Sequence, residues 1–277
     1  MFRTDSTPIA ANEVPALDGI PEHTHEFLEF AVVSRGSGVH VTRDGTTPIE
    51  TGSLVLIRPG TWHAYRSPSD LWTFNLYLAP ELLQREMSWI VEYPDLARAL
   101  LRGEPNLGRL TSASTTRVLG WLRQIAEIVP GQHVPTLIGL TSSVIDAVTE
   151  VSATGEADSD STIARSVVTM MTMMQSDLSV HWTIATLCRA VNASPAAVHR
   201  SFKRHVGMSP MSWLQQARGE AAATQLVLTD LPVSEIGRSV GWDDPNYASR
   251  RFRAQYGLSP SQYRARFTDG SSAPIPH

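Results

Sequence analysis

Two hydrophobic periods divide the chain. Up to about residue 80, apolar positions recur every second residue in short runs; beyond it they recur every third and fourth. Leu71–Leu78 alternates cleanly, with Trp72, Phe74, Leu76 and Leu78 on one face and Thr73, Asn75 and Tyr77 on the other. Phe27–Val33 predicts a strand ending in a turn at Arg35-Gly36-Ser37-Gly38. Val39–Thr42 leads to Asp44-Gly45, a hairpin signal, and Ser53–Ile57 is a buried run before the turn Arg58-Pro59-Gly60. Residues 1–18 show no period and read as a loose arm. Short strands with Gly/Pro turns predict a small barrel or sandwich.

Residues 81–153 read as helical. Pro80–Leu83 starts one helix that continues through Val91. Thr115–Val129 carries Val118, Leu119, Leu122, Ile125, Ala126 and Val129 at three-and-four spacing, and Pro135 starts a helix with the stripe Leu137, Ile138, Leu140, Val144, Ile145 and Val148. For Trp72, core packing is the favoured reading. The stretch 154–162 has the small, acidic composition of a linker, and 268–277 forms a tail. The methionines Met170, Met171, Met173 and Met174 fall on a helix, where core packing is favoured over soft-metal binding.

Between linker and tail, one pattern occurs twice. Thr183 caps a short helix ending at Asn192, where a left-handed residue fits; Ser194 then caps a second helix with Pro195 at its first position. Some 50 residues on, a helix from Pro232 ends at Gly241, and Asp243 or Asp244 caps another before Pro245. In the first capped helix Val198, Phe202 and Val206 form the buried row, leaving His199, Arg200 and Lys203 outside. In the second, Ala248 and Phe252 face in. A helix, a tight turn and a capped basic helix make a helix-turn-helix, and a pair is far more specific than one.

The motif residues Ile236-Gly237-x-x-Val240-Gly241-Trp242, Tyr247-x-x-Arg250-x-Phe252-Arg253 and Tyr256–Arg264, with Phe202-Lys203-Arg204-x-x-Gly207-Met208-Ser209-Pro210, resemble those of the AraC/XylS family of bacterial transcription regulators. Trp242 stands where Phe is usual, Gly237 where Ala is usual, and Gly219 lies within the connecting helix, roughly Pro210 to Leu228. The resemblance implies an α+β two-domain chain. A cupin-like effector-binding and dimerisation barrel with appended helices would span 1–153, and an all-α DNA-binding domain with two helix-turn-helix motifs 163–267. It places Ala196, His199 and Arg200, and Pro245, Asn246, Ser249 and Arg250, at base-reading positions. Lys203, Arg204, Arg251 and Arg253 are assigned to phosphate or solvent. The two reading helices would enter successive major grooves about 34 Å apart.

Candidate chemistry in the first half is His23-x-His25-x-x-x-Glu29, followed by His63. The odd parity of the first three points them to one side of an extended segment. The pattern, with Gly36 and Gly52-x5-Arg58-Pro59-Gly60-x2-His63, resembles the cupin motifs, whose three His and Glu hold a divalent ion such as Mn, Fe, Ni or Zn. Three readings stand open: a metal site, a metal-free effector pocket, and polar groups at a barrel mouth with no ligand. The effector pocket leads, with Trp62, Tyr65, Asn75 and Tyr77 as further lining. Residues 23–77 most resemble the rhamnose-responsive members of the family.

Net charge sharpens the division. Residues 163–267 hold twelve Lys and Arg against six Asp and Glu, whereas 1–162 hold eleven against twenty, so a basic module follows an acidic one. The single cysteine, Cys188, allows no disulfide framework and excludes a DNA-repair methyltransferase, which needs reactive cysteines. No apolar run reaches the length of a membrane span and the N-terminus does not open a signal peptide, so a cytoplasmic protein is expected. The leading function is an effector-responsive activator that acts on an operator as a homodimer with RNA polymerase. It would be no enzyme. Alternatives are a metal-cupin enzyme with a DNA-binding tail, and a ligand-independent regulator whose barrel only dimerises.

Overall fold

The computed structural model describes residues 9–80, 82, 86–92, 97, 106–129, 132–149 and 161–268. They fall into two compact units. The first holds the described residues of Met1–Ser88 and Gly103–Gly155. The second holds those of Trp89–Arg102 and Glu156–Ser272.

The first unit is a seven-stranded antiparallel sheet in the order β1 (Ile9–Pro15), β6 (His63–Leu78), β3 (Leu28–Thr42), β5 (Ser53–Ile57), β7 (Asn106–Arg109). In addition, β2 (Ile20–His23) pairs with β6 and β4 (Gly45–Glu50) with β3. Ala31, Val33, Val55, Ile57, Tyr65 and Leu71 pack as one interior cluster. The alternate residues Leu28, Phe30, Val32, Leu54, Leu56, Phe74, Leu76 and Leu78 are buried as well, so the sheet is covered on both faces. Helix α1 (Ser112–Glu127) packs against β1, β3 and β6, and α2 (Val134–Thr149) against α1. Each fully buried Leu, Ile or Phe contributes about 1.5–3 kcal/mol.

Several expectations are corrected. The segment 35–38 is no turn: β3 runs through it, with ladder shifts between Val33 and Val39. Gly36, at φ 78°, lets the strand bend, and Asp70 O lies only 2.0 Å from where a Cβ would stand. Strand β6 begins at His63, absorbing bulges at Ser67 and Asp70, both at positive φ. The unpatterned arm holds β1, paired backbone to backbone with β6 from Ile9–Leu78 to Pro15–Trp72. Within the stretch read as wholly helical, β7 pairs with β5. The helix expected through Val91 is, in its described part, a 3-10 helix, Ser88–Glu92. Trp72 is half-buried beneath the Arg35 guanidinium, 5.1 Å from the ring centroid, instead of lying in the core.

The second unit is helical: α3 (Ser161–Ser176), α4 (Ile184–Val191), α5 (Pro195–His205), α6 (Pro210–Leu228), α7 (Val233–Ser239), α8 (Pro245–Tyr256) and α9 (Pro260–Thr268). Met170, Met171 and Met174 are core residues. Arg218 of α6 is buried and donates to Leu178 O and Val180 O at 3.0 and 2.9 Å, tying α6 to the α3–α4 loop. His205, fully buried at the end of α5, lies 2.7 Å through Nδ1 from Val91 O, so the ring N–H donates to that carbonyl. Both partners belong to the second unit.

Candidate functional site

Two sites emerge, one inside the sheet and one on the helices. On the helical side the caps set both turns. Thr183 and Thr186 form a capping box, and Asn192 takes the left-handed conformation at φ 49°, ψ 50°. Ser194 and Asp244 accept the amide protons of Ala197 and Tyr247, each with Pro at the first helical position. Gly241 closes the second turn at φ 77°. Val198 and Phe202 anchor α5; Ala248 and Phe252 anchor α8. Ala196, His199, Arg200, Lys203, Arg204, Pro245, Asn246, Arg250, Arg251 and Arg253 are exposed, and Ser249 is half-exposed. Each helix thus presents one continuous polar, cationic face, the form a major groove accepts.

Inside the sheet, His23 ends β2, the chain breaks from strand over residues 24–27, and Glu29 lies on β3 opposite Tyr77. The single extended segment expected for His23, His25 and Glu29 is therefore interrupted, yet their side chains converge. His25, Glu29 and His63 each offer one ligand atom, and these lie within 4.8 Å of one another. The ring of His23 packs on that of His63, centroids 4.1 Å apart, outside this trio. Tyr65 and Tyr77 reach the same interior; Tyr77 OH donates to Asn12 Oδ1 at 2.9 Å and accepts from Asn75 Nδ2 at 3.1 Å. Trp62 is half-buried immediately before β6.

His40 is the residue the sequence reading missed. It faces Tyr65 across the β3–β6 ladder, its ring 5.5 Å from His63 and 5.3 Å from Tyr65. Its only signal was an imidazole between two valines.

Electrostatically the interior disfavours charge on His23, His40 and His63. Burial lowers His23, pushes His40 down to about 4, and holds His63 well below the usual imidazole value, with neighbouring imidazoles adding to the effect on His63. Burial and the Glu29 charge raise both tyrosines. Polar atoms buried here without a protein hydrogen-bond partner include Glu29 Oε1, both ring nitrogens of His63, His40 Nε2, Tyr65 OH, Thr73 Oγ1 and Asn75 Oδ1. Each such atom costs roughly 1–3 kcal/mol, so an apolar core would be more stable.

The donor set also fits an ion. His23 and His25 direct Nδ1 at backbone carbonyls of Pro21 and Phe27, both at 2.9 Å, the arrangement that frees Nε2 for a metal. His25 Nε2 stands 3.1 Å from Glu29 Oε2 yet makes no hydrogen bond of acceptable geometry. Two ligands about 2.1 Å from one ion and at right angles lie about 3 Å apart.

Comparisons agree with both halves. A model described as an AraC-like ligand binding domain matches residues 13–136, and one described as a helix-turn-helix domain matches 187–266. The chain is similar to the HTH-type transcriptional activator RhaR of Shigella flexneri serotype 5b, 28% identical over 95% of this chain and 93% of that one. RhaR of Escherichia coli strain K12 gives the same identity and coverage. Among solved structures, ToxT from Vibrio cholerae aligns with TM-score 0.56 at 11% identity, covering 95% of this chain and 100% of that one. An unsaturated fatty acid-bound ToxT aligns at 0.54 and 15%, covering 98% and 99%. At these identities the likeness to ToxT is one of fold. Among the described residues no helix is long and apolar enough to cross a membrane.

Proposed function

Because the chain belongs to the AraC family of transcription regulators, we propose that it is an activator that holds a small polar effector, such as a sugar, in its barrel and reads operator DNA with α5 and α8. It is an effector-responsive, DNA-binding regulator. The proposed effector site comprises His23, His25, Glu29, His63, Tyr65, Asn75 and Tyr77, with Trp62 at its edge. The observation that carries it is the number of buried polar atoms in one interior that no protein group satisfies. Effector hydroxyls would supply the missing partners.

In the DNA-reading half, Arg200 or Arg250 would clamp guanine O6 and N7, and Asn246 would pair with adenine. Ala196, His199, Pro245 and Ser249 complete the base-facing set, while Lys203, Arg204 and Arg253 hold phosphates. We read the chain as non-catalytic and cytoplasmic, acting as a homodimer paired through α1 and α2 and engaging RNA polymerase at the promoter. The test is thermal unfolding of the full chain against neutral sugars and small metabolites, each with and without chelator. A ligand at 100 times its dissociation constant adds about 2.7 kcal/mol and raises the midpoint. Silence from every compound would leave the barrel a dimerisation element only.

One observation favours a second reading, the convergence of His25, Glu29 and His63. Imidazole and carboxylate together suit Mn, Fe, Ni or Zn. An ion held there would give effector hydroxyls a Lewis-acid anchor. Elemental analysis of purified protein decides: a transition metal near one per chain supports this reading, and metal-free protein that still binds effector removes it.

A further inference from the structure

The four-residue histidine and glutamate pattern does not exhaust the polar interior. His40 and Tyr65 lie outside it, facing each other on β3 and β6. Both are almost completely buried, at 2% exposure each, so neither serves the surface. Their rings are 5.3 Å apart, yet His40 Nε2 and Tyr65 OH bond neither to each other nor to any other protein atom. A pair placed only for packing would satisfy one atom with the other or carry no polar atoms. His63 bridges this pair to the pattern, its ring 5.5 Å from His40 and 5.7 Å from Tyr65. A molecule anchored at Glu29 and His63 therefore meets a second polar pair further along the same interior.

The available chemistry restricts what that molecule is. The polar groups gathered here include the Glu29 carboxylate, imidazoles, the phenols of Tyr65 and Tyr77, a hydroxyl and an amide. An anion bound among them would lie beside the Glu29 carboxylate. A hydroxyl suits each group, since it donates to an imidazole lone pair or a carboxylate and accepts from a phenol.

We propose that His40 and Tyr65 form an inner hydroxyl-binding subsite that sets effector specificity, selecting a neutral polyhydroxylated molecule long enough to reach from Glu29 to this pair. This rests on the effector reading above and adds the residues that measure the ligand's far end. Tyr65→Phe removes only the oxygen, and it also removes a buried polar atom that lacks a partner. The variant is therefore expected to melt at or above the wild-type temperature without ligand, while binding is lost.

The experiment uses the full-length protein and a panel of aldohexoses, their deoxy analogues, the matching alditols and the matching aldonates. Dissociation constants are measured by calorimetry with and without chelator. The expected result is that one neutral sugar or alditol binds wild type, and that Tyr65→Phe and His40→Phe each weaken it tenfold or more. A deoxy analogue lacking the hydroxyl that meets the pair should bind wild type and Tyr65→Phe equally weakly. If wild type responds but Tyr65→Phe binds as tightly, the subsite is wrong and the effector reading stands. If only aldonates bind, and chelator abolishes it, the neutral class is overturned in favour of a metal chelate. If nothing in the panel binds wild type, the effector reading fails and takes the subsite with it.

Discussion

A neutral imidazole held inside the sheet unit makes that unit acid-sensitive. His40 protonates near 4 when folded and near 6.5 when unfolded. Above pH 6.5 both states are neutral and the group has no effect. Between about 6.5 and 4 the unfolded chain takes up a proton that the folded chain refuses, so stability falls with pH; below 4 the loss levels off. For His40 alone the loss is on the order of 3 kcal/mol, and His23 and His63 act in the same direction. Denaturant titrations of the full chain from pH 7.5 to 4.5 should show the midpoint dropping, and His40→Phe should flatten the drop. At the other site, Arg250→Ala should weaken specific DNA binding by about 1–3 kcal/mol and relax preference at one base pair. An unchanged affinity in a titration on the native operator would remove Arg250 from the reading set. The exposed residues of α5 and α8 were legible because caps and a four-residue period fix a helix face without reference to anything distant. His40 was not. Between Val33 and Val39 the ladder slips, and a one-residue slip exchanges the two faces of a strand. Glu29 and His40 consequently share an interior despite opposite parity.

Among the elements, β3 and β6 depend on the bend at Gly36. A Cβ there would meet Asp70 O at 2.0 Å and Ser69 O at 2.4 Å, at a φ that side chains rarely adopt. Backbone strain of this kind costs on the order of 1–3 kcal/mol before the clash is counted. Gly36→Ala should therefore lower the melting temperature sharply and impair effector binding together, because the same bend brings His40 beside His63. An unaltered melting curve would show that the strand bends without Gly36. The contrast between helices and strands follows from range. Thr183, Ser194 and Asp244 act on neighbours three residues away, so their helices were visible in the sequence. Strand β1 has no alternation to read. It is held through backbone pairing with β6, 57 to 69 residues on. β7 was hidden likewise, its partner β5 being about fifty residues earlier.

On the scale of the whole molecule, the acidic first half and the basic second half separate specificity from attraction. Phosphate contacts release counterions, so each contributes about 0.9 to the salt slope of DNA affinity. Lys203→Ala and Arg253→Ala should each reduce that slope by about 1 and weaken operator and random DNA alike. A loss confined to the operator would mean that these side chains read bases. That a sheet unit precedes a helical one was legible from the change of hydrophobic period; residues 154–160 of the expected linker lie outside the described residues. What composition could not reveal is that the described residues of Trp89–Arg102 group with the helices, where Val91 O receives the buried ring of His205. Anyone building a chimaera by joining a foreign sensor at residue 156 would leave that acceptor behind. The transplanted α5 would end on an imidazole matched to a carbonyl supplied by sequence sixty-five residues upstream of the joint. Grafts that move 89–102 together with 156–272 keep donor and acceptor in the same inheritance.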